Sequence, residues 1–89
     1  MTTTKTIRAF LAARYPAAYT ETVILQRCNR SGMLDAPASM ADIHEALVTL
    51  ARRHKHVDLL IDADGTQAWS ATPAGVAEWT LDGSPIVGG

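Results

Sequence analysis

Apolar residues recur along this chain at two different periods, and the change between them divides it. Ile7, Phe10, Leu11 and Tyr15 stand at helical spacing, with Arg8 and Arg14 off the stripe; this predicts a helix over 5–15 that Pro16 stops. Thr20 is placed to cap a second helix over 21–31, with Glu21 against the positive end of its dipole. Val23, Ile24 and Cys28 are among its apolar positions, and Gly32 supplies its stop. Residues 33–38 read as a loop, with Met33 and Leu34 turned back onto the core. Ser39 then opens the clearest helix: Met40, Ile43, Leu47 and Leu50 trace one face down to about Arg53. Asp42, three residues after Ser39, forms a variant of the capping box, and Arg52, Arg53 and Lys55 stand at the end where a helix dipole favours cations.

From residue 57 the period falls to two. Val57, Leu59 and Ile61 alternate with Asp58, Leu60 and Asp62, as in a strand with one buried face. Asp64-Gly65 suits a two-residue type I′ turn, which needs positive φ at both central positions. That turn sets a register pairing Ile61 with Ala68 and Leu60 with Trp69. Trp69 packed across from Leu60 reads as a core residue; if Val57, Leu59 and Ile61 face inward, however, Leu60 and Trp69 face outward together as a candidate dimer surface. Thr72 is a cap and Pro73 a first helical residue for a last helix of about two turns, 73–80. The final stretch, DGSPIVGG, has no periodicity. The expectation is therefore one domain over residues 1–82 and a flexible C-terminal tail over 83–89.

Composition agrees with a single globular domain: 89 residues, 47% hydrophobic and 19% charged, are enough for a modest core without staples. The one cysteine, Cys28, excludes an intramolecular disulfide and fits a reducing interior. No apolar run reaches the length of an export signal or a membrane span, so a soluble, cytoplasmic protein without a membrane partner is expected. The net charge of −1 conceals a division. Residues 1–56 carry eight basic side chains against four acids, whereas residues 57–89 carry five acids and neither Lys nor Arg.

Candidate chemistry is sparse. His44, His54, His56 and Cys28 match no zinc spacing, and a free cysteine beside Val23 and Ile24 behaves as a small hydrophobe. Asp62-Ala63-Asp64-Gly65 opens like a calcium loop, but the later ligand positions are Trp, Ser and Ala. There is no phosphate-cradling Gly-rich loop and no nucleophile beside a base. No enzyme activity, metal or cofactor is expected.

Helix, helix, helix, hairpin, short helix is an order that resembles the winged helix-turn-helix family. The segment ADIHEALVTLARR leads into VDLLIDADGTQAWSATPAG, which looks like that family's run from recognition helix to wing, closing on Thr72-x-x-Gly75. The resemblance covers about residues 5–80. It implies an α+β fold: a three-helix N-terminal bundle, a two-stranded β-hairpin wing and a short C-terminal helix. Many such proteins are transcriptional regulators of bacteria and their prophages, with the third helix in the major groove of double-stranded DNA. On that reading Arg27, Arg30, Arg52, Arg53 and Lys55 contact phosphates, and Ser39, His44 and Thr49 lie nearest the bases. Asp62 and Asp64 at the wing tip oppose phosphate, which keeps a second class open. In that class the domain is a non-catalytic protein-interaction or dimerisation module. Leu60, Trp69 and the acidic wing would then meet a second copy or another protein.

Overall fold

The computed structural model describes residues 1–88. Helix α1 spans Thr3–Ala12, opened by the Thr2 hydroxyl, which accepts from the Lys5 amide. It ends three residues before the expected limit, and Tyr15 is left 47% exposed rather than joining the buried stripe of Ile7, Phe10 and Leu11. Helix α2 spans Glu21–Arg30 and is capped by Thr20, whose side chain accepts from the Val23 amide. Helix α3 spans Met40–Thr49 and carries the full capping box. The Ser39 hydroxyl accepts from the Asp42 amide at 3.1 Å, and the Asp42 carboxylate accepts from the Ser39 amide at 2.9 Å. These bonds hold the Asp42 carboxyl below the usual carboxylate range.

Where the periodicity predicts that this helix continues to Arg53, the backbone instead widens into a π turn over Leu50–His54. Lys55 then takes a left-handed conformation, φ 60°, and the His56 amide donates to Leu50 O at 2.9 Å. The chain turns there because it must reverse into the sheet with its last carbonyls satisfied.

That sheet has three antiparallel strands rather than two. Strand β1, Ala18–Tyr19, pairs with β3, Gln67–Ala71, and β3 pairs in turn with β2, Val57–Ile61. The observed register sets Leu59 opposite Trp69 and Leu60 opposite Ala68, one residue from the expected pairing. The turn explains the shift. Only Gly65 among the turn residues has positive φ, at +86°, so the paired positive angles of a type I′ turn are absent. The Gly65 amide donates to Asp62 O and the Asp62 amide to Thr66 O, which closes a three-residue loop, 63–65. The Asp62 carboxylate drives that choice by accepting from the amides of both Asp64 and Thr66.

Helix α4 spans Pro73–Leu81. Its cap works in two directions: the Thr72 hydroxyl accepts from the Gly75 amide at 3.1 Å and donates to Lys55 O at 2.6 Å. The stretch expected as a loose tail packs instead over the bundle. Val87 is fully buried with Phe10 and Ile24, Trp79 Nε1 donates to Pro85 O, and Arg14 donates to Gly88 O. Lacking periodicity, the segment finds its burial through one side chain and bonds to its backbone. Gly89, the last residue of that expected tail, lies outside the described residues. Among the described residues no helix is long and apolar enough to cross a membrane.

Candidate functional site

The eight basic side chains divide into those bound within the fold and those left free. Arg8 makes a 2.7 Å ion pair with Asp82, which holds that carboxyl below the usual range. Arg14 lies 4.1 Å over the Phe10 ring and donates to Phe10 O and Gly88 O. Arg52, Arg53 and Lys55 are exposed at the far end of α3, with no side-chain bond or ion pair among the described residues. Arg27 and Arg30 border a cleft of about 420 Å³ at the end of α2, together with Ser31, Met33, Ile86 and Gly88.

The residues expected nearest to bases are engaged elsewhere. The Ser39 hydroxyl is committed to the capping box. Thr49 turns towards α1, where it lines a smaller cleft with Thr3, Thr4, Asp42, Glu45 and Ala46. The His44 ring nitrogen Nδ1 meets the Glu21 carboxylate at 2.9 Å, which requires that nitrogen to carry the proton. The same Glu21 oxygen accepts from the Trp69 indole at 3.1 Å. Glu21 thus ties α2, α3 and β3 together. Its place in the first turn signals only a favourable dipole contact, since its two partners come from distant parts of the chain.

The ribbon keeps Trp69 in the core and corrects its pairing with Leu60 as a shared exposed surface. Those residues lie on opposite faces: Trp69 is 3% exposed, packed against the bundle with Val57 and Ala71. Leu60 is 47% exposed on the other face. Leu59 and Ile61 share the face of Trp69 yet remain 42% and 62% exposed, because the ribbon runs past the end of the bundle. Three consecutive apolar side chains therefore meet solvent on one strand, between Asp58 and Asp62. Strand β2 is also an edge of the sheet. Thr72 donates to His56 O and Asp62 donates to Thr66 O, so the even-numbered residues of the ribbon's first arm bond across to the second. By the alternation of an antiparallel ladder, Leu59 and Ile61 point their N–H and C=O groups to the free side.

Cys28 is buried in the core, its thiol pushed up to about 11 by burial, with Arg14 pulling weakly the other way. His54 stacks on His56 at 5.3 Å between ring centroids, ten residues on from His44 in the sequence. Among the described residues no three His, Cys, Asp or Glu side chains gather where they could share a metal ion. Compared with family models, with curated proteins and with solved structures, the chain matches none.

Proposed function

We infer that this chain is a non-catalytic protein-binding module on a winged helix-turn-helix scaffold, and that it engages another polypeptide through its acidic ribbon. The fold is compatible with that scaffold in its three leading helices and following hairpin, with a further short strand beside the hairpin. One observation carries the function: Leu59, Leu60 and Ile61 are exposed together on an edge strand that has no Lys, Arg or Pro to guard it. Contiguous exposed apolar surface rimmed by charge is characteristic of interaction sites. Placing a photo-reactive amino acid at Leu60, and separately at Glu45 on α3, tests the assignment in cells. Protein adducts from position 60 are expected. Adducts with nucleic acid from position 45, and none from position 60, would overturn it.

Binding of duplex DNA is the second reading, favoured by the unpaired cations Arg52, Arg53 and Lys55 where α3 ends. Two things weigh against it: Asp42 and Glu45 stand exposed on the helix that would approach phosphates, and Asp62 and Asp64 occupy the ribbon tip. On this reading affinity for duplex at low ionic strength falls steeply with added salt, and substitution of Arg52 and Arg53 by Ala reduces that slope.

A further inference from the structure

Edge strands in folded proteins are normally protected from further pairing by lysines, prolines, bulges or a covering element. Strand β2 has none of the first three, and no strand lies on its outer side among the described residues. Its charges are Asp58 and, directly after it, Asp62; both lie on the face of Leu60, which they bracket. Asp58 is exposed and, among the described residues, unbonded through its side chain, and no Lys or Arg follows Lys55 in the chain.

We propose that the free edge of β2 accepts an extended segment of a different protein as a fourth strand. The segment it fits has three apolar or β-branched residues between two basic ones. This rests on the protein-binding reading above and names the partner's chemistry. The outward main-chain groups of Leu59 and Ile61 supply the ladder bonds, as in strand addition generally. The apolar residues of the incoming segment cover Leu59, Leu60 and Ile61, and its cations, four positions apart, stand across from Asp58 and Asp62. A second copy of this chain is the wrong occupant. Two β2 strands paired about a two-fold axis at Leu60 set Asp58 of each against Asp62 of the other, and like charges directly opposite destabilise a pair. Moving the axis to Leu59 or Ile61 sets an aspartate across from Leu60 and shortens the apolar match.

The probe is a synthetic peptide, Gly-Lys-Val-Thr-Val-Lys-Gly, with a counterpart carrying Glu at both Lys positions. Each is titrated into the isotope-labelled chain while amide exchange is followed. In the free chain the amides of Asp58 and Leu60, which face β3, are expected to be protected and those of Leu59 and Ile61 to exchange freely. At ten times its Kd the lysine peptide should slow exchange at Leu59 and Ile61 roughly tenfold, by mass action. The glutamate peptide should not. Ile61→Pro removes an outward donor while leaving the ladder to β3 intact and should abolish the effect; retained protection at Asp58 and Leu60 shows that the variant is folded. Asp58→Lys, a change at an exposed and unbonded side chain, should shift preference towards the glutamate peptide. Equal binding of the two peptides, failure of the lysine peptide to bind, or binding undiminished by Ile61→Pro overturns the proposal. So does a dimer in sedimentation that Ile61→Pro dissolves. A protein cross-link at Leu60 that survives Ile61→Pro removes the edge-strand partner yet leaves the protein-binding function standing.

Discussion

His56 sits between α1, α4 and the start of the ribbon, with its Nδ1 buried and without a partner among the described residues. Burial, then the nearby Arg8 and His54, hold the ring below its usual range, while Glu78 and Asp82 pull the other way. The unfolded chain therefore takes up a proton at His56 before the folded one does. Stability associated with the neutral ring is complete above the ordinary value of about 6.5 and is lost as pH falls towards the depressed folded value. Urea midpoints should fall as the pH is lowered through that window, and His56→Gln should flatten the fall; an unchanged slope in the variant would contradict this assignment. Cys28 illustrates a residue readable from its neighbours alone. Val23 and Ile24 mark it as a core position, and Cys28 is fully buried, its thiol pushed up to about 11 by that burial, as suits a packing group. His44 illustrates the converse. Nothing near it in sequence announces Glu21, 23 positions away, which occupies its ring.

Caps were the most legible features of the elements. Thr20, Ser39 and Thr72 each accept from the amide three residues on, because a hydroxyl in extended backbone satisfies a donor that the first helical turn leaves free. The limits of α1 and α3 were less legible, since apolar spacing continues past the point where the chain must turn. The hairpin register departs from the expected pairing for a related reason: Asp-Gly signals a tight turn but not its length, and the Asp62 side chain selects the longer loop. Gly75 joins α4 to the ribbon. A methyl group there would overlap the carbonyl of His56, the same oxygen that accepts from the Thr72 amide. Because that obstacle is backbone, Gly75→Ala should destabilise the fold by roughly 2–4 kcal/mol, measured by urea unfolding. A loss within about 0.5 kcal/mol, the range of a neutral surface change, would mean that α4 can move away freely.

At the scale of the whole molecule, the C-terminal stretch completes the core that the three helices begin. Val87 fills a place among Phe10, Ile24 and their neighbours, while the carbonyls of Pro85 and Gly88 are held by Trp79 and Arg14. Val87→Ala should cost about 2 kcal/mol through lost burial and the cavity left behind. Thermal unfolding checks this, and an unshifted midpoint would show that the stretch contributes nothing to the core. Charge is organised at the same scale. Arg8 and Arg14 are spent on internal contacts, so the basic half presents fewer free cations than its composition promises, whereas the ribbon keeps every acid at its surface.

The residues alone determined the starts of α2, α3 and α4, a ribbon after the third helix, the core stripe of Ile7, Phe10, Ile24, Ile43 and Leu47, and the sign of charge on each half. These follow from local geometry, because periodicity and capping act within a few residues. The third strand, the register, the Glu21 bridge and the burial of Val87 were decided only when distant segments met. So was the exposure of Leu59 and Ile61, on a face that their alternation assigns to the interior. A period of two tells which side chains share a face of a strand; how far the supporting bundle extends beneath them is set by helix lengths and packing elsewhere in the chain.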